Sequence, residues 1–186
     1  MQEITGSKWT NYDNMNLSKE LRRLWAEHVF WTRLFIVSAL AGLPDLAVTT
    51  ERLLRNPADF ANVFRKFYGS QTADAVQRLL EDHLKIAADL VNSAIRQDAE
   101  AVEQNTKLWY SNADKIASAL GRINPVWTAA QWRDLLYDHL RMTTDEVLAR
   151  LSGDYAKDAA IFDMILEQAL DMADVMAEGI AKQFEI

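Results

Sequence analysis

Long stretches of this chain contain neither glycine nor proline, and along them apolar residues recur in alternating steps of four and three. Leu17, Leu21, Leu24, His28, Trp31, Phe35 and Ser38 form one such stripe; Val76, Leu80, His83, Ala87, Leu90 and Ala94 form a second. That spacing puts side chains on one face of an α-helix and is incompatible with the two-residue period of a strand. Nothing in the chain reads as β, and no internal repeat or low-complexity segment appears.

Stop and start signals divide the stripes. A first helix is expected from Asn16 or Ser18 to Ala41, ended by Gly42 and Pro44, with residues 1–16 as a lead-in docked through Trp9 and Tyr12. Between Asp45 and Tyr68 the pattern suggests two short helices, broken where Asn56 can cap and Pro57 can take the first helical position, and Gly69 ends that crossover. A long helix over 72–96 follows. Asp98 can cap a helix from Ala99 to Leu120, one long kinked helix being the alternative, and Asn105 and Asn112 fall on its stripe beside Trp109.

After a turn at Gly121 and Asn124-Pro125, Thr128 and Gln131 have capping-box spacing and open a helix to Leu151 that aligns Trp132, Leu135, His139, Met142 and Glu146. Thr143 and Glu146 share that spacing, which allows a break after Met142. Asp154 can cap the last helix, which runs to Phe184 and opposes an apolar arc to a solvated acidic face of Asp163, Glu167, Asp171, Asp174 and Glu178. The expectation is all-α: one domain over residues 1–186, an antiparallel helical bundle of four to five long helices with a short two-helix crossover.

Composition removes several function classes. The net charge of −7 lacks the basic footprint of a nucleic-acid-binding surface. Zero cysteines exclude disulfides, thiol catalysis and cysteine-ligated zinc. No apolar run is long enough to span a bilayer and the N-terminus lacks a signal-peptide pattern, so a cytoplasmic protein that does not enter the membrane is expected.

The chemistry-bearing residues are the histidines. The chain has three, each preceded by an acid: Glu27-His28, Asp82-His83 and Asp138-His139. Each lies on the apolar stripe of its own helix, near the middle, where helices meet at one level whether parallel or antiparallel. Neutral imidazole is the commonest metal ligand and is costly to bury without a partner. Together these point to one mononuclear three-histidine metal site at the bundle waist, open to redox or small-molecule chemistry. The preceding acids, about 100° round the helix, are expected to orient ligand imidazoles on adjacent helices. Neither Glu-x-x-His nor His-Glu-x-x-His occurs, which argues against di-iron and zinc-protease sites. A divalent ion is expected, iron first, with manganese, zinc or copper as alternatives and haem as a minor one.

The uncharged segment Leu34-Phe35-Ile36-Val37 is apolar round most of the helix and suggests a homodimer or a partner helix in place of, or beside, the metal.

Five segments carry a resemblance: Leu24-Trp25-x-Glu27-His28-x-x-Trp31-Thr32-Arg33, Leu53-Leu54-Arg55-Asn56-Pro57-x-Asp59-Phe60, Leu136-Tyr137-Asp138-His139-Leu140, Met172-Ala173-Asp174 and Lys182-Gln183-Phe184. On these the chain resembles a family of uncharacterised bacterial helical-bundle proteins with a ferritin-like or hemerythrin-like bundle. The resemblance implies a bundle core able to hold iron. The ligand pattern departs from both namesakes, so oxygen carriage and iron storage are not implied.

Overall fold

Turn chemistry cuts the stripes into five helices: α1 (Asn11–Ala41), α2 (Leu46–Ile95), α3 (Ala99–Ile123), α4 (Ala129–Leu151) and α5 (Tyr155–Phe184), with no strand among the described residues. The computed structural model describes residues 11–186, with side chains from residue 14 onward. The docking expected of Trp9 and Tyr12 lies outside that range. Helix α1 starts earlier than Asn16, so part of the expected lead-in is helical.

The caps act as their residue types demand. Asp98, Thr128 and Asp154 accept from Ala101 N, Gln131 N and Lys157 N at 3.0–3.1 Å, satisfying backbone donors that a helix start leaves free. The break before α3 is made without glycine: Gln97 takes φ 56° and ends the preceding helix. Helix α4 runs unbroken through Met142, and Glu146, 2% exposed, is a core residue and not a cap.

The segment from Asp45 to Tyr68 differs from expectation. Helix α2 continues straight through Pro57, and its non-helical residue is Gly69, at φ 76° and ψ 171°. Asn56 does not cap; its amide donates instead to the Leu24 carbonyl on α1 (3.0 Å). At Gly69 the chain folds back on itself, a conformation that suits a residue without Cβ. Leu53 and Leu84 line the same chamber, whereas a straight helix would hold them roughly 46 Å apart. Arg65 and Asp74 close the bend with an ion pair of 2.8 Å. Helix α2 is thus two arms, 46–68 and 70–95.

The six arms alternate in direction and form three hairpins: α1 with the first arm of α2, the second arm of α2 with α3, and α4 with α5. Each helix packs on the next in chain order, and α5 closes the ring against α1. A repeat absent from the residue identities is present in the register. Counted from His28, His83 and His139, the residues seven before (Leu21, Val76, Trp132), one after (Val29, Leu84, Leu140) and eight after (Ile36, Val91, Val147) are all buried. The second helices of the hairpins match too, with buried Phe60-Ala61, Ile116-Ala117 and Met172-Ala173 at equivalent places.

At the end of the bundle opposite the 42–45 loop, Trp127 donates to the Val175 carbonyl (3.1 Å) across Gly179, where a Cβ would lie 1.8 Å from the indole nitrogen. The five acids of α5 lie on its exposed face, as the stripe implied. No helix among the described residues is long and apolar enough to cross a membrane.

Candidate functional site

The histidines come from the three helices that run in one direction, α1, the second arm of α2, and α4. Three side-chain amides face them from the helices that run in the other: Asn56, Asn112 and Gln168. The pairing has one design. The Asn112 NH2 group donates to the Leu79 carbonyl (3.1 Å), four residues before His83, and its oxygen meets His83 Nδ1 at 2.8 Å. Gln168 donates to the Leu135 carbonyl (2.7 Å), four residues before His139, and its oxygen meets His139 Nδ1 at 3.2 Å. Asn56 donates to the Leu24 carbonyl, four before His28, and lines the cavity beside the His28 ring.

This arrangement settles which ring nitrogen carries the hydrogen. An amide whose NH2 is committed to a backbone carbonyl presents its oxygen to the imidazole, and an amide oxygen only accepts. Flipping the amide would set two acceptors against each other at the carbonyl. Nδ1 of His83 and His139 therefore donates, and the lone pair sits on Nε2, to which no protein donor is bonded among the described residues.

All three histidines line one cavity of about 40 Å³ on the bundle axis. Apart from Asn56 its other walls are apolar, including Trp25, Leu80 and Leu136, each three residues before a histidine. The imidazoles lean toward it because side chains in a helix tilt toward the N-terminus. The His28 and His139 ring centres lie 5.6 Å apart. His83 stacks obliquely on Trp109 at 5.3 Å. As placed, no group of three His, Cys, Asp or Glu side chains among the described residues has metal-ligand spacing.

The electrostatics keep the rings neutral. Burial lowers His83 and His139 to about 4, against the opposing pull of the Asn112 and Gln168 oxygens. His28 is pushed well below the ordinary value by burial first and then by the two neighbouring histidines. Proximity of one imidazolium to another would be repulsive, so the cluster holds lone pairs and not protons.

The acids before the histidines do not take the orienting role expected of them. Glu27 pairs with Arg23 and with Arg52 (2.8 Å), Asp138 pairs with Arg141 (3.3 Å), and Asp82 is exposed. The 100° offset that turns them from their own histidine carries Asp82 and Asp138 out to solvent and Glu27 to the partly exposed arginine side of the α1–α2 contact. The amides fill that role, at 28 or 29 residues beyond each histidine. That separation, taken with the spacing of 55 and 56 residues between successive histidines, is the sequence signal that identifies them.

Tryptophans add unmet donors. The Nε1–H groups of Trp25, Trp109 and Trp132 are buried without an acceptor. Trp25 and Trp132 line the histidine cavity. A buried donor without a partner is destabilising by about 1–3 kcal/mol, so their packing role does not account for them fully.

Compared with family models, with curated proteins and with solved structures, the chain matches none.

Proposed function

We propose that this bundle binds a single divalent metal ion at its waist through His28, His83 and His139, and uses it on a small molecule. The observation that carries the reading is the thrice-repeated amide clamp. It gives the His83 and His139 imidazoles a hydrogen-bonded outer edge, sets an amide beside His28 in the same way, and leaves neutral acceptors toward a shared, largely apolar cavity, where an unmatched acceptor is costly. A metal is the partner such lone pairs take in common, and an outer hydrogen bond on a ligand histidine raises its basicity and fixes its orientation.

With metal–nitrogen bonds of about 2.1 Å, two imidazoles on one tetrahedral ion have ring centres roughly 5 to 6 Å apart. His28 and His139 already meet that separation. Binding would draw in the His83 ring, which lines the same cavity. Three imidazoles leave at least one position open for a reactant, the pattern of a catalytic and not a structural site. The resemblance to ferritin-like and hemerythrin-like bundles favours iron, and imidazole ligation is equally compatible with manganese, zinc or copper.

Elemental analysis of untagged protein from metal-replete expression tests the reading. About one metal per chain is expected, falling to background in His139→Ala with helicity retained. Equal metal content in that variant, or none in the native chain, overturns it.

A second reading is association into a homodimer. Phe35 and Ile36 are committed to the core, but Phe30 and Leu34, one turn apart on α1, stay 47% and 44% exposed. Sedimentation velocity decides it, and a sharp monomer at micromolar concentration rejects the dimer.

A further inference from the structure

A second chamber, of about 90 Å³, lies on the other side of the histidine layer. Thr32, Ala87 and Thr143, each four residues past a histidine, and Ile36, Val91 and Val147, each eight past, line it. It therefore sits on the bundle axis within a turn or two of the imidazoles. Leu84 lines both chambers, and Trp109 lines this one while its ring rests against His83. These two side chains form the partition.

The lining includes four threonines, yet none offers its hydroxyl hydrogen to a guest. Thr32, Thr106, Thr143 and Thr144 donate to the carbonyls of His28, Val102, His139 and Leu140 at 2.7–2.9 Å, each within its own helix. One donor remains. Trp109 is 3% exposed, and its Nε1–H has no acceptor.

We propose that this chamber binds a small neutral molecule, hydrocarbon except for one acceptor oxygen, with that oxygen taking the Trp109 N–H. The inference extends the metal-site reading and rests on it for purpose: the guest lies beside the ion that would act on it. Charged or multiply polar guests are excluded by the lining, which offers nothing in place of their hydration. Size sets the scale, because a void of roughly 150 Å³ accommodates benzene, and this one suits about four heavy atoms.

Acetone and 2-methylpropane, similar in shape and differing in the oxygen, are the probes. They are titrated into the full, metal-free chain in chelator while the indole N–H resonances are followed by 15N NMR, Trp109 being assigned by its loss in Trp109→Phe. Acetone is expected to move the Trp109 resonance saturably and to leave Trp25 and Trp132 in place. Trp109→Phe should weaken acetone about tenfold, the value of one hydrogen bond, and leave 2-methylpropane unchanged. Ala87→Leu, which fills the chamber, should weaken both probes; if that variant is not helical, Ala94→Leu replaces it. Xenon uptake at one site per chain, lost on filling, reads the space without the donor.

A non-saturating shift, a response at Trp25 or Trp132 instead, or equal binding in a folded filled variant overturns the proposal. Chelation separates the two readings. A chain that takes acetone but never metal keeps the chamber and loses the metal site, and a chain that holds metal without a saturable acetone response does the reverse.

Discussion

Two polar layers are buried in this bundle on opposite plans. At the waist the groups are neutral and the arrangement occurs three times, each imidazole facing one amide that donates to the carbonyl four residues before it. Where α1, α4 and α5 meet, the groups are charged and the arrangement occurs once. Arg33 is bidentate to Asp158 (2.8 and 3.0 Å) and also bonds Glu146, while Arg150 holds the second side of Asp158 at 2.8 Å. The positions equivalent to Arg33 in the other two hairpins are Ala88 and Thr144, both lining the apolar chamber. The repeat is thus kept where three like groups must meet on an axis and broken where one side of the ring is closed by ions. The smaller Ala88 and Thr144 at those positions leave space beside the histidine layer.

The comparison is broken most sharply by Arg33→Met. Glu146 and Asp158, 2% and 1% exposed, would lose their shared partner, and removing one side of a buried ion pair costs about 3–5 kcal/mol. Denaturant midpoints at constant slope measure it; a loss below about 1 kcal/mol would mean that water or Arg150 replaces the guanidinium.

Acidity separates the histidines from Glu146 by sign. His83 and His139 titrate at about 4 when folded and near 6.5 when unfolded, so the unfolded chain takes up protons first as pH falls. Their stabilisation is complete above about 6.5 and is lost between there and 4, on the order of 3 kcal/mol for each. Glu146 runs the other way: burial, opposed by Arg33, raises it to about 7, so its contribution is present at low pH and is lost as pH rises through that value. Thermal unfolding of metal-free protein between pH 4 and 7 should therefore show an acid loss that becomes steeper in Glu146→Gln and shallower in His83→Gln. An unchanged profile in both variants would sink the assignment of the two signs.

The smallest effect sharpens the clamp. Asn112→Ala leaves the His83 Nδ1–H and the Leu79 carbonyl without their partner and should cost about 1–3 kcal/mol. Metal affinity, measured by competition with a chelating dye, should fall roughly 10- to 100-fold, as for other outer hydrogen-bond partners of ligand histidines. Stability loss with unchanged affinity would make Asn112 a packing residue only.

How much was legible depended on distance along the chain. The helical period, the caps at Asp98, Thr128 and Asp154, and the solvated acids of α5 are local features, and they appear where the residues indicate. Pro57 misled, because a proline reads as a helix start when its neighbour can cap, and Asn56 is drawn instead to Leu24 and His28 on another helix. The acids beside the histidines misled for a related reason. Adjacency in sequence places Asp82 and Asp138 a third of a turn away, facing solvent, whereas the amides that reach the rings lie on the next helix of the same hairpin.

By itself the amino-acid sequence determined an all-helical chain with three histidines on buried stripes at matching depth, since periodicity and capping act within a few residues. Tertiary structure alone decided that α2 reverses at Gly69, that Asn56, Asn112 and Gln168 meet the imidazoles, and that two chambers flank them. Those outcomes depend on which helices pair and in what register, and pairing is set by the burial of whole faces together, a quantity that no single stretch of the chain contains.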